Sequence, residues 1–276
     1  MTSIRNPAVA GLFYPGNEKA LANAIEKYLS SATVNKNDSA LHLTAPQQKT
    51  PKAIIVPHAG YQYSGATAAQ AFHALLLPNQ HIRRVVLLGP SHRVGFKGIA
   101  FCSSDYFRTP LGDVPVDHSA LVAISDLPDV GLLDRAHEQE HSLEVQLPFL
   151  QKTLADFKLV PLVVGDADTT TVARVIERLW GDESTLFVIS SDLSHYHDYQ
   201  TAQRLDTATC DAIERLLPDA IGFEQACGRN PVKGLLEVAA QKRLQVHTLA
   251  LCNSGDTSGD HERVVGYGAW GFWEST

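Results

Sequence analysis

TLFVISSDLSH, residues 185–195, carries the reading of the fold. It opens as a run of apolar and β-branched residues with no polar alternation. It then breaks into small polar residues and closes on His195. A strand that is apolar at every position is buried on both faces, which is the condition of a parallel sheet covered by helices. The same kind of run recurs at AIIVP (53–57), RRVVLLG (83–89), FKLVPLVVG (157–165), RLQVHTLALC (243–252) and VVGYGAWGFW (264–273). Between them lie helical stretches. NEKALANAIEKYLS (17–30) sets Leu21, Ile25, Tyr28 and Leu29 on one face, and ATAAQAFHALL (66–76), TTTVARVIERLW (169–180) and a segment over 200–217 follow. Strand runs alternating with helices predict a single three-layer α/β/α domain over residues 1–276 with a mostly parallel sheet. The glycine-punctuated last run is expected as an antiparallel edge or return strand. Residues 30–52, rich in Ser, Thr, Asn, Gln and Lys, are expected as a surface loop insertion.

Composition narrows the function classes. The chain has 276 residues, a formal net charge of −7 and no long basic run, which argues against a nucleic-acid surface. No apolar run approaches the roughly 20 residues that span a bilayer. The start, MTSIRNPAVAGLFYPGN, has no charged-then-apolar leader, so a cytoplasmic protein is expected. Its four cysteines, Cys102, Cys210, Cys227 and Cys252, form no C-x-x-C and are expected as free thiols.

Three strand runs end alike. AIIVP leads to His58 in PHAGY, RRVVLLG to His92 in GPSHR, and TLFVISS to His195 in SSDLSH. Ligands of open α/β sheets bind beyond the carboxyl ends of the strands, so these imidazoles are expected to meet in one crevice as metal ligands. Asp192, three residues before His195, is placed to orient a ligand histidine or carry protons. Gly60, Gly65 and Gly89 flank the first two histidines, where either close backbone approach or turn chemistry accounts for them.

HEQEH, residues 137–141, matches the zinc-protease pattern H-E-x-x-H, which needs both histidines on one helical face. Ser142 instead reads as the N-cap of a helix bearing Leu143, Leu147, Leu150 and Leu154 on one stripe. Pro148 is also awkward within a helix begun at His137. His137 is therefore expected as a solvated loop residue, whereas His141 and Glu140 face the crevice as acid/base groups.

In order, PAVAGLFYPGN, PHAGYQYSG, LGPSHRVGF, RTPLGDVPVD, HEQEHSLEVQLPFL, VISSDLSHY, CGRNPV and VVGYGAW resemble the Memo family, also called AmmeMemoRadiSam system protein B. The resemblance runs from about residue 6 to the C-terminus. It implies a fold like that of class III extradiol dioxygenases and a metal site with His58 and His92 as ligands. His195 and Asp192 would line the pocket, and His141 and Glu144 would lie in a matched E-H-S-L-E motif. It also implies a ligand cysteine in the last long loop. That loop, NSGDTSGDHER (253–263), has none, which leaves His195, Cys252 or Thr257 as the third ligand. A site without thiolate suits Fe(II) better than Cu(I), with zinc a further option. The expected activity is that of a non-haem iron oxidoreductase acting on a small molecule or peptide with radical-SAM and AMMECR-type partners. The alternatives are a metal-binding or peptide-binding scaffold without turnover and a metal-dependent hydrolase.

Overall fold

The computed structural model describes residues 2–32, 49–76 and 81–275. Its strands are β1 (Ile4–Arg5), β2 (Ala53–Val56), β3 (Arg84–Pro90), β4 (Ile99–Phe101), β5 (Tyr106–Thr109), β6 (Gly112–Pro115), β7 (Val130–Leu132), β8 (Lys158–Val164), β9 (Thr185–Ser190), β10 (His195–His197), β11 (Gln245–Asn253) and β12 (Val264–Trp273). The helices are α1 (Glu18–Ala32), α2 (Tyr61–His73), α3 (His118–Ile124), α4 (Arg135–Glu138), α5 (Leu147–Thr153), α6 (Thr169–Arg178), α7 (Tyr199–Glu214), α8 (Arg229–Gln241) and α9 (Gly255–Ser258).

The large sheet runs β10-β12-β2-β9-β3-β8-β4-β7, with β11 also paired to β12. Its middle, β2-β9-β3-β8, is parallel throughout. Every residue of β2 and β9 is buried, as their unbroken apolar runs predict. The flanks differ from the mostly parallel expectation. β12 runs antiparallel to β2, β11 and β10, and β4 runs antiparallel to β8, so the sheet is mixed. β12 is a return strand as expected, but it lies inside the sheet rather than at its edge.

Direction of travel explains the layers. From β2 through α2 to β3 and on to β8 the chain moves one way across the sheet; from β8 through α6 to β9 it moves back. Right-handed crossovers then put α2 and α6 on opposite faces. α1, α2 and α5 pack together on one side, and α6 packs with α8 on the other. The α/β sandwich is therefore as read from the sequence. Of the expected loop at 30–52, residues 30–32 are the last turn of α1 and Lys52 is buried. Residues 33–48 lie outside the described ones.

Candidate metal centre

Because β9 sits between β2 and β3, the segments leaving these three strands are neighbours at one edge of the sheet. His58 follows β2 and His92 follows β3. His141 arrives from the segment between α4 and α5. Two hydrogen bonds pin that segment: Ser142 Oγ donates to the Pro90 carbonyl at the end of β3, and Ser190 Oγ at the end of β9 donates to the Ser142 carbonyl. Gly89 makes the approach possible, since a Cβ there would lie 2.8 Å from Ser142 Oγ. His58, His92 and His141 offer ligand atoms all within 4.8 Å of one another. Their ring centroids are 4.6–5.4 Å apart. His58 is buried, His141 half-buried, and His92 opens to solvent.

Hydrogen bonds fix the tautomers. Ser190 has one proton, and it goes to Ser142; the hydroxyl also accepts from Gln146 Nε2 at 2.9 Å. The contact of 2.9 Å with His58 Nδ1 must then be an N–H donated to Ser190, leaving the Nε2 lone pair for the crevice. His92 Nδ1 donates to Glu140 Oε1 at 2.8 Å, and its backbone N–H to Oε2 at 2.6 Å. Glu140 also accepts the N–H groups of His141 and Ser142. Burial pushes this carboxyl up, but the bonds from His92 and the backbone outweigh it and leave its pKa at about 2. It is thus a fixed anion orienting the His92 ring, the carboxylate–histidine arrangement that metal sites use.

The rings resist protonation. Burial, with the charges of His92, His141 and His195 behind it, drives His58 well below the ordinary range. Burial also takes His141 to about 4 despite the Glu140 anion. His141 Nδ1 is buried 3.4 Å from Glu140 Oε1, without hydrogen-bond geometry. Converging lone pairs and neutral imidazoles are a donor set that fits a transition metal.

Asp192 is fully buried, and burial raises its pKa to about 7. Its Oδ1 accepts the His58 backbone N–H at 2.7 Å, so it holds the His58 loop while Ser190 holds the ring. His195 is half-buried and is not among the three imidazoles that converge; its Nδ1 donates to the Leu193 carbonyl at 2.8 Å. The following Tyr196 adopts a left-handed φ of 61° and is 64 % exposed, backbone strain at the rim of the crevice.

Three expectations need correction. His137 is buried on α4, where its Nε2 donates to the Ala100 carbonyl at 3.1 Å. Ser142 is not a helix cap: its hydroxyl goes to Pro90, and a 3-10 turn at Glu144–Gln146 leads into α5, with Pro148 in the first turn where proline is tolerated. The third concerns sulfur. Cys252 contacts Thr67 Oγ1 at 3.0 Å, and Thr257 is exposed with its hydroxyl on the Ser254 carbonyl. The thiol at the site is instead Cys227 of CGRNPV, whose Sγ lies 3.3 Å from His58 Nε2. Gly228 lets it approach, since a Cβ there would fall 2.6 Å from Ser191 Cβ. The C-G pair just before α8 marks it in the sequence, whereas the last loop, where the resemblance implies a cysteine, has none.

A family model described as Memo-like protein matches residues 5–270. The chain belongs to the Memo family. MEMO1 family proteins of Aquifex aeolicus and Sulfolobus acidocaldarius are 38% and 34% identical to it, each alignment covering 96% of this chain and 97% of the relative. The protein memo-1 homolog of Caenorhabditis elegans is 33% identical over 87% of this chain and 72% of its own length. Uncharacterized protein JW3007 from Escherichia coli K12, a crystal structure, aligns with a TM-score of 0.49 at 12% identity, covering 79% of this chain and 98% of that one. Within the Memo chain, Glu144 of the E-H-S-L-E stretch is buried in an ion pair with Arg5 and accepts from Ala8 N, Val9 N and Tyr14 Oη. It anchors the N-terminal segment that carries Phe13 onto the His141 ring, centroids 4.8 Å apart. Among the described residues no helix is long and apolar enough to cross a membrane.

Proposed function

We propose that this Memo-family protein binds one metal ion through His58, His92 and His141, with Cys227 in reach as a fourth donor, and uses it in dioxygenase-like oxidative chemistry. The observation that carries the reading is the pair of locked tautomers, His58 on Ser190 and His92 on Glu140, which turn two Nε2 lone pairs to the same crevice. A bound Fe(II) would supply open coordination positions for dioxygen and substrate. The chain's own groups do the rest. Glu140 keeps the His92 ring oriented, and Phe13 covers one side of His141. Asp192, with a pKa raised to about 7 by burial, and His195 are the candidate proton carriers at the substrate side. The thiol of Cys227 removes the reason for preferring Fe(II) over Cu(I) or zinc on ligand softness alone, so the metal becomes the first thing to measure. A cytoplasmic setting and radical-SAM and AMMECR-type partners belong to the same proposal, on the resemblance alone.

Anaerobic purification with elemental analysis, followed by oxygen uptake on candidate catechols, tests it. Iron at one equivalent and uptake lost in His58→Ala and His92→Ala support the reading. Metal binding with no turnover on any substrate favours a metal-dependent scaffold. For that second reading the specific observation is exposed apolar surface on the segments flanking the site, with Leu12 at 80 %, Tyr196 at 64 % and Phe223 at 75 % exposure.

A further inference from the structure

Beside the imidazoles lies a cavity that none of the three lines. It measures about 340 Å³ and is walled by the turn after β3, the end of β8 and the start of α8. Pro90, Val94, Phe96, Val164 and Pro231 give it apolar sides, and Ser91, Asn230 and Arg229 bring polar groups. Cys227 lines it as well. Since that sulfur lies 3.3 Å from His58 Nε2, the cavity and the imidazole trio share a wall. Pro90 and Ser91, two and one residues before His92, form another shared boundary.

Its electrostatics are one-sided. Arg229 is half-buried, its guanidinium 4.7 Å above the Phe223 ring, and it makes no ion pair among the described residues. The two other arginines withdrawn from solvent, Arg5 and Arg84, both have carboxylate partners. The nearest acid on the cavity wall, Asp166, is exposed, where solvent screens its charge. Asn230 spends its amide on the Gly165 carbonyl, leaving the guanidinium as the strong donor. A chain with net charge −7 repels small anions overall, so an unpaired arginine set against an apolar cavity at the site is a local exception. Arginine's planar fork matches a carboxylate or phosphate bidentately, and stacking on Phe223 holds the fork in place.

We propose that this cavity is the subsite for the anionic end of the substrate: a carboxylate or phosphate on a flat, ring-sized body, bound by Arg229 so that the other end of the molecule reaches the imidazole trio. The proposal rests on the reading of the trio as a working metal centre, and it names the class of compound that centre receives. A volume of about 340 Å³ admits a monocyclic aromatic acid with room to spare, at the small end of ligand pockets.

The test uses metal-free full-length protein, so that no anion can bind through a metal. Benzoate, phenyl phosphate and the neutral isostere benzamide are titrated at low salt and followed by calorimetry and ligand-observed NMR. Binding of benzoate or phenyl phosphate at least tenfold tighter than benzamide is expected, and which of the two binds tighter tells carboxylate from phosphate. Arg229→Gln is expected to lose at least tenfold for the anion while leaving benzamide and thermal stability unchanged. Arg229→Lys should recover part of the loss, and Arg93→Gln, a control cation beside His92, should stay within threefold of wild type. Equal binding of benzamide and benzoate, no binding of either anion, or an Arg229→Gln protein that binds them as wild type does would overturn the proposal. Metal uptake is measured separately. Arg229→Gln should take up metal normally, and His58→Ala should bind benzoate while losing metal, so failure of the subsite and failure of the metal centre read out on different variants.

Discussion

At the scale of single residues, the site depends on where a few protons sit. Ser190 accepts from His58 only because its own proton is committed to Ser142. Ser190→Ala removes that acceptor, frees the His58 ring to turn, and is expected to weaken metal binding roughly tenfold, the low end for loss of a ligand-orienting partner, at little cost to folding. Competition titration against a chelator reads this directly. Cys227→Ser separates the metals: a tight Cu(I) site should fall by orders of magnitude, whereas an iron site built on imidazoles should change little. His137, buried without a role in the trio, has its pKa pushed down by burial to about 4 from 6.5. The folded state therefore binds fewer protons than the unfolded state between these values, and stability falls as pH drops from 6.5 through 4. This one group contributes about 3 kcal/mol of that loss. Urea unfolding of wild type and His137→Gln at pH 7 and pH 4 should show wild type losing that much more on acidification. His58 and His92 were legible in the sequence because each follows a strand end. The surroundings of His137 were not, because burial leaves no local pattern, and the C-G pair that marks Cys227 does not reveal a contact with His58 across 169 residues.

The elements tell a similar story. Strands β2, β3, β8 and β9 could be read because a strand covered on both faces must be apolar throughout. Short strands such as β4 and β7, three residues each, have too few positions for any period to show. Helix α8 carries Pro231 in its first turn, where proline is tolerated, and Gly234 where a Cβ would run into Val172. The segment from α4 to α5 escaped because its order comes from side chains on distant parts of the chain. Arg5 is its clamp: Nε donates to the His137 carbonyl, Nη2 to the Glu140 carbonyl, and Nη1 pairs with Glu144. Glu144→Ala would leave a buried guanidinium unpaired, which costs on the order of 3–5 kcal/mol. The variant should show that loss in denaturant unfolding. It should also be cut by protease within residues 8–14, where Ala8, Val9 and Tyr14 lose their acceptor. The double change Arg5→Met, Glu144→Leu should cost less than Glu144→Ala, because no charge is stranded.

For the molecule as a whole, the metal is expected to act as a folding ligand. The trio comes from residues 58, 92 and 141, brought together only when β2, β9 and β3 are paired. An ion that binds this arrangement and not the unfolded chain stabilises by RT ln(1 + [L]/Kd), about 2.7 kcal/mol at a hundredfold excess over Kd. For a domain of this size that is a rise in Tm on the order of 5 to 10 °C. Calorimetry of apo and metal-loaded protein should show the rise in wild type and its absence in His58→Ala. No shift in wild type at saturating metal would mean that the trio does not hold the ion.

The position of Cys227 also sets a timetable. In the finished protein its thiol lies against Ser191 Oγ and the Asp192 carbonyl, and burial pushes its pKa up, so it resists oxidation. Before α8 docks on the end of β9 it is an ordinary reactive thiol, and a core of parallel strands joined by long crossovers assembles slowly. Peroxide is then most damaging to the newborn chain, and a sulfinic acid formed in that interval would put charged oxygens beside the His58 Nε2 that the metal needs. Refolding in air and refolding under a thiol reductant should yield two populations distinguished by the mass of the Cys227 peptide, and only the reduced one should recover full metal uptake.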